Sequence, residues 1–401
     1  MKLESITLAN YGGFERLDIT LEPEVTVIAG VNGVGKSTLL RAMGVLLSNT
    51  QRRLGVTRAR PIPLKSDDVF GGAALASLSA SMDFDSRKVR AELSVRPNPR
   101  PIKKFDLFGA ISGGSPNACL AVYFSPKRQF HGQPRSLPEA KPFEPSFAYG
   151  GALQDREVEL REFMHWFRTQ DRLGMPNEPR RRHVLEAMRR VVTELMPEFS
   201  NLRIEDEPRL AFVVEKCGKP FYVHQLSDGE RSLLALVFDL TRRLAIANPD
   251  SEDPIGKGMA LVLIDEIELH LHPKWQRDVL QRLRDIFKAC QFVVTTHSPL
   301  VLGEVPARCV RFLEVMERKV RVVVPTEAYG MDANRILHEF MDAPVRNRRV
   351  DDELKSLFKL IDREHFDEAR SAIVRLEDKL GQDEPELTRA SSLIRFLEGA
   401  E

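Results

Sequence analysis

Eight residues constrain this chain more than any other stretch. Gly30-Val31-Asn32-Gly33-Val34-Gly35-Lys36-Ser37 lies between an apolar β run, with Val25, Val27 and Ile28, and a run of helix formers in which Leu39, Leu40, Met43 and Leu47 fall at helical spacing. The pattern predicts a buried strand, a tight glycine loop and a helix that starts near Lys36. The glycines let the backbone turn so that its N–H groups point inward at a polyphosphate. The helix N-terminus adds positive potential for the anion. Lys36 is placed to reach the β and γ phosphates of a nucleotide, and the Ser37 hydroxyl to ligate a metal ion. Asn32, Gly33, Gly35 and Thr38 complete the expected cradle.

Three further motifs follow in order. Leu226-Ser227-Asp228-Gly229-Glu230 precedes a long apolar helix expected from Ser232 to about Ala247. A serine, exposed N–H groups and a helix N-terminus make a second anion site, with Ser227, Gly229 and Glu230 as its contacts. Leu261-Val262-Leu263-Ile264 is wholly apolar, as a strand covered on both faces should be, and ends in Asp265-Glu266. There Asp265 can hold a metal through water, and Glu266 can orient and deprotonate the attacking water. Thr295-Thr296-His297-Ser298 follows the apolar run Phe292-Val293-Val294.

In this order the four motifs resemble those of the ABC-type ATPases of the RecF, SMC and OLD group. The resemblance implies an α/β, RecF/SMC-like P-loop ATPase head with a helical lobe and a short C-terminal helical extension. It implies ATP and Mg2+ as cofactors, with Ser37, Asp265 and Gln129 around the metal. It implies a head-to-tail homodimer in which the signature of one protomer covers the nucleotide held by the other. It makes His297 the switch histidine on the γ phosphate, and Glu266, His297 and Lys36 the catalytic set. Gln129 falls where the group places a metal- and water-sensing loop, with Arg128 as the alternative for that role. Asp228 departs from the pattern, since the commonest signature has glycine there. A carboxylate aimed at the γ phosphate would repel it, so Asp228 should face away or the closed state should be weaker.

The stretch Ile267-Glu268-Leu269-His270-Leu271-His272-Pro273 resembles the D-loop of OLD-type ATPases, including the ATPase subunits of Septu and retron defence systems. A metal site on His270 and His272 would want further ligands at compatible spacing, and no cysteine lies near. The resemblance therefore implies an ATPase subunit of a prokaryotic antiphage defence complex, gating a separate nuclease of the HNH or TOPRIM kind. Two alternatives stand beside it. One is a RecF-like DNA repair ATPase. The other is an ATPase-linked anticodon nuclease, for which Arg335, Glu339 and His365 match in residue type; Arg335 and Glu339 also suit an ordinary i,i+4 ion pair.

Composition sets limits. In 401 residues the formal net charge is only +1, but residues 51–104 hold twelve Lys/Arg against five Asp/Glu, and residues 351–401 hold eight against fourteen. The basic stretch, with Arg52, Arg53, Arg58, Arg60, Lys103 and Lys104, reads either as a nucleic-acid surface or as a solvated loop broken by Pro61, Pro63, Pro97, Pro99 and Pro101. Cys119, Cys217, Cys290 and Cys309 lie far apart, and the N-terminal residues lack an apolar core segment. Both features suit a cytoplasmic protein, and no run reaches membrane-spanning length. No long heptad segment or Cys-x-x-Cys hook marks an SMC-type arm. The expected parts are a first ATPase lobe at 1–125, a helical lobe and linker strands at 126–225, the signature-to-switch half at 226–325, and a helical segment at 326–401. The last reads as a docking or dimerisation platform, or as a cap.

Overall fold

The computed structural model describes residues 1–84, 87–96, 102–109, 120–173, 179–317, 319–341 and 346–399. Cys119 and the prolines at 97, 99 and 101 lie outside these residues. The chain divides into two compact units, Met1–Ile336 and Leu337–Glu401.

The first unit is built on two sheets with a helix buried between them. Strands β1 (Lys2–Tyr11), β2 (Phe14–Thr20), β4 (Ala76–Phe84), β5 (Arg87–Arg96) and β6 (Ile102–Phe108) form an antiparallel sheet in the order β2-β1-β4-β5-β6. β4 alternates buried and half-buried residues along its length, the period-two pattern of a sheet with one covered face. The second sheet contains β3 (Val25–Gly30), β7 (Ala121–Phe124), β13 (Leu261–Ile264), β14 (Gln291–Thr295), β15 (Val310–Met316) and β16 (Lys319–Val323). Its order is β16-β15-β3-β14-β13-β7, parallel except for the β15–β16 hairpin. β3, β13 and β14 are buried at every residue, which explains their unbroken apolar runs.

Helix α1 (Lys36–Arg53) is the filling between the layers. Leu39, Leu40, Met43, Leu46 and Leu47 share one core with Leu8, Leu78 and Leu93 of the antiparallel sheet and Ile28, Leu263 and Val293 of the parallel one. Each such leucine contributes about 1.5–3 kcal/mol by leaving water. The strand containing the glycine loop's approach is therefore fixed from both sides. Gln291 adds a polar staple: its side chain accepts from Leu3 N–H at 2.7 Å and donates to the Leu3 and Glu22 carbonyls.

The second half of this unit adds β8 (Phe130–His131), β9 (Val158–Glu159), helices α2 (Leu160–Leu173) and α3 (Pro179–Leu195), and the antiparallel strands β10 (Phe199–Glu205), β11 (Ala211–Lys216) and β12 (Lys219–Tyr222). Helix α4 (Asp228–Ala247) follows, with α5 (Pro273–Ile286) and α6 (Pro299–Leu302) beyond it. Phe163, Met164 and Phe167 of α2 are buried in the core of this lobe. Phe163 stacks on Phe238 of α4 with ring centroids 4.2 Å apart, and Phe212 meets both rings edge-on. A buried ion network reinforces the joint. Asp239 accepts from Arg242 and Arg243, and Arg243 also donates to the Ala148 and Gly150 carbonyls. Burial alone would raise the Asp239 carboxyl, but Arg243 and Arg242 hold it well below the usual carboxylate range.

One sequence reading changes: within the basic stretch 51–104, for which a solvated loop was one expectation, β4, β5 and β6 form paired sheet among the described residues, with β6 at the edge. Several basic residues there are already paired, Lys88 with Glu4 and Asp83, and Lys104 with Asp106. The segment at 125–151 contains β8 and a single 3-10 turn at Pro145–Tyr149. Strands β2, β4, β6 and β12 had no clear sequence signal, because alternating serines, charges and prolines dilute their apolar pattern.

The division between units falls within α7 (Ala333–Met341). The second unit contains α8 (Arg348–Asp362), α9 (Phe366–Leu380) and α10 (Pro385–Glu398), packed around Leu354, Leu357, Ile361, Ile373, Leu376, Leu387 and Ile394. Gly381, at φ 95°, ends α9 as its position predicts. Arg335 pairs with Glu327 in the first unit, and His365 with Glu368 in the second. No helix among the described residues is long and apolar enough to cross a membrane.

Candidate functional site

β3 delivers the glycine loop and α1 leaves it. Gly30, Gly33 and Gly35 all have positive φ, at 145°, 81° and 105°. Two of them are also places of close approach. A Cβ on Gly30 would lie 2.6 Å from the Leu313 carbonyl oxygen, and one on Gly35 would lie 2.5 Å from the Phe14 ring. Asn32 and Gly33 are exposed at the loop tip, Ser37 is exposed in the first turn of α1, and no acid stands in that turn. Loop and helix end fit an anion, as the sequence predicts.

Lys36 is buried and folded back over its own loop. Its Nζ donates to the Gly30 carbonyl at 2.8 Å and to Val31 at 3.1 Å, and lies 3.4 Å from His297 Nδ1. Burial lowers its pKa to about 8, against the upward pull of Glu268, Asp265 and Glu266. With the ammonium as donor, Nδ1 of His297 is the acceptor and the ring proton sits on Nε2, an N–H available to a phosphate oxygen. Burial first, then Lys36, keeps the imidazole below its usual pKa and so favours this neutral form.

The carboxylates stand at the end of β13, beside β14. Asp265 is buried. Its Oδ1 accepts from Thr295 Oγ1 at 2.5 Å, and its Oδ2 lies 3.5 Å from the Tyr123 hydroxyl. Glu266 has a left-handed backbone, φ 49°, which costs a non-glycine residue about 1–3 kcal/mol. Two neighbours hold that turn. Glu266 N–H donates to Thr295 Oγ1 at 2.8 Å, so one hydroxyl serves both acidic residues. Arg128, only 3% exposed, donates to the carbonyls of Asp265 at 2.6 Å, Glu266 at 2.7 Å, and Ile267 and Ser125 at longer range. Burial lowers the Arg128 pKa to about 10, opposed first by Glu268.

Residues 1–105 match the family model described as "AAA ATPase domain", and residues 121–303 match that described as "AAA domain, putative AbiEii toxin, Type IV TA system". The chain is 26% identical to "Retron Ec83 probable ATPase" of Escherichia coli, over 78% of this chain and 72% of that protein. It is 38% identical to "Retron Vc95 probable ATPase" of Vibrio cholerae over a shorter stretch, 39% of this chain and 31% of that protein. "Septu protein PtuA" of Bacillus mycoides is 23% identical, over 88% of this chain and 50% of that one. The fold matches an SMC head, solved bound to the C-winged helix domain of ScpA, with a TM-score of 0.52 at 18% identity over 80% of this chain and 98% of the head. The chain is an ATPase.

In this ATPase the signature half is arranged differently from the phosphate loop. Ser227 is the N-cap of α4 and completes a capping box: its hydroxyl accepts from Glu230 N–H, and Glu230 accepts from Ser227 N–H at 2.9 Å. Glu230 also accepts from Lys216 at 2.5 Å. Its carboxylate is thus committed to holding Ser227 and Lys216 of β11. Asp228, half exposed, is ion-paired with Arg231, which neutralises the charge that the sequence flagged. Gly229 is needed for space: a Cβ would lie 2.2 Å from the His270 carbonyl oxygen, where that residue's left-handed backbone, φ 62°, brings the D-loop against α4. His272 caps α5, its Nδ1 accepting from Lys274 N–H. Both histidines therefore shape the D-loop backbone.

Gln129 stands one residue past Arg128, with its backbone bonded to Lys127 and Val158. Between the two candidates for a sensing role, it is Arg128 that touches the Asp265-Glu266 turn. Sequence reasoning gave no role to Thr295, Tyr123 or Glu268. The doubled threonine before His297 and the second glutamate in Glu266-Ile267-Glu268 are the signals that could have found two of them.

Proposed function

We propose that this ATPase dimerises head to tail around ATP and Mg2+ and gates a separate nuclease partner of the HNH or TOPRIM kind, in prokaryotic antiphage defence. One observation carries the dimer: the phosphate-loop half closes around its own lysine and histidine, whereas the signature half ends in an exposed Ser227 on a preformed helix end. An exposed helix N-terminus suits a phosphate supplied by a second copy. The similarity to retron and Septu ATPases supports the defence setting. Ser37 and Asp265 would hold the metal, for Asp265 Oδ2 has only a distant neighbour at 3.5 Å. The metal, when bound, supplies charge neutralisation at the phosphates. Glu266 would take the proton of the attacking water, Lys36 would leave its loop carbonyls for the β and γ phosphates, and His297 would donate to the γ phosphate.

A RecF-type DNA role finds less support. "DNA replication and repair protein RecF" of Arthrobacter matches only 32% of this chain, and the basic strands spend Lys88 and Lys104 on internal ion pairs.

Glu266→Gln should lower hydrolysis by about 10^2- to 10^4-fold while ATP still binds. Light scattering after gel filtration with ATP should then find a dimer; a monomer at saturating ATP would sink the sandwich. Affinity purification with mass spectrometry from the native operon tests the gate. A stoichiometric nuclease supports it, and a homodimer carrying only DNA or RNA removes it.

A further inference from the structure

We propose that Glu268 is a positioning residue of this ATPase, holding the backbone amide of His297 so that the imidazole keeps its place beside Lys36. The inference rests on the assignment of His297 above. Glu268 follows the catalytic turn, and its Oε1 accepts from His297 N–H at 2.5 Å. An ionised acceptor makes this a stronger tie than a neutral one.

The tie completes a clasp between two loops. Ile267 N–H donates to the Thr295 carbonyl at 3.1 Å, Glu266 N–H to Thr295 Oγ1, and Thr295 Oγ1 to Asp265. Those three bonds all stop at Thr295. Glu268 extends the clasp by two residues, to the histidine itself. Its other oxygen, Oε2, is buried without a hydrogen-bond partner. A carboxylate oxygen left so is costly, and in solvent it would find donors at once. The fold keeps it inside nevertheless, against two buried cations: Glu268 is the foremost of the acids acting on both Lys36 and Arg128. One carboxylate thus fixes the switch loop by a hydrogen bond and balances the lysine that the same histidine touches.

Steady-state hydrolysis and ATP-analogue binding on Glu268→Ala, Glu268→Gln, His297→Ala and the Glu268→Ala/His297→Ala double variant test this. Glu268→Ala should lower kcat by about 10- to 100-fold, the loss typical of residues that orient a functional group, with KM for ATP changed less than about threefold. Glu268→Gln, whose amide oxygen still accepts the His297 N–H, should recover most of the rate. The double variant should lose no more than His297→Ala alone, because the two act as a unit. Additive losses would overturn the proposal, as would a glutamine variant as damaged as the alanine one. Normal turnover by Glu268→Ala beside a defective His297→Ala would overturn it while leaving the histidine assignment intact. Normal turnover by His297→Ala would instead remove the assignment beneath it. Retained analogue binding in each variant reports an intact phosphate loop.

Discussion

Two helix N-termini in this molecule are candidate anion sites, and they are finished to different degrees. At α1 the chain supplies a loop with three positive-φ glycines, a buried lysine and a histidine that already touches it. At α4 it supplies an exposed serine, a capping box turned inward, and an aspartate neutralised by its own arginine. The glycines differ in the same way. Gly30 and Gly35 are required by backbone conformation and by close approach. Gly229 is required only because the D-loop carbonyl of His270 passes beside it. The first end is a seat. The second is a surface, held rigid by the residues behind it, and rigidity without enclosure is what a site shared between two chains needs.

The largest effect should come from the seat. Lys36→Ala removes a buried cation from the phosphates and should weaken ATP binding by about 3 kcal/mol, roughly 100-fold. Equilibrium binding of a fluorescent ATP analogue measures it, and retained affinity would unseat the phosphate-loop assignment. The intermediate effect lies behind the seat. Arg128→Met takes the guanidinium donor away from the carbonyls of Asp265, Glu266 and Ile267, of which Glu266 keeps Leu269 N–H. Stability should fall by about 2–4 kcal/mol and kcat by about 10- to 100-fold as the catalytic turn loosens. Thermal melting and turnover read the two separately; a variant with full stability and full rate would make Arg128 a bystander. The smallest belongs to the surface. Ser227→Ala should cost about 1 kcal/mol through the lost cap, leave ATP binding by a single protomer within about twofold, and reduce ATP-driven dimerisation. If it weakened binding to the monomer as Lys36→Ala does, the contrast between the two ends would collapse.

Much of this was legible in the sequence because the relevant signals are local. A glycine loop between an apolar strand and a helix, and an acidic pair at the end of a wholly apolar run, each follow from neighbouring residues alone. The buried strands β3, β13 and β14 announced themselves for the same reason: burial on both faces leaves no polar alternation to blur them. The half-covered strands β2, β4 and β6 did not, since serines and charges on their open faces resemble loop composition.

What the sequence by itself determined is the candidate set: which lysine, which carboxylates, which histidine, and the order in which they occur. What only the tertiary structure decided is their support. That Arg128 clamps the catalytic turn, that Thr295 serves two acids, that Glu268 grips the switch loop and that Gly229 yields to His270 are all contacts between segments distant in the chain. Such partners leave no periodic trace, because the register of β13 beside β14 and the packing of α4 on the D-loop arise only when the layers close around α1.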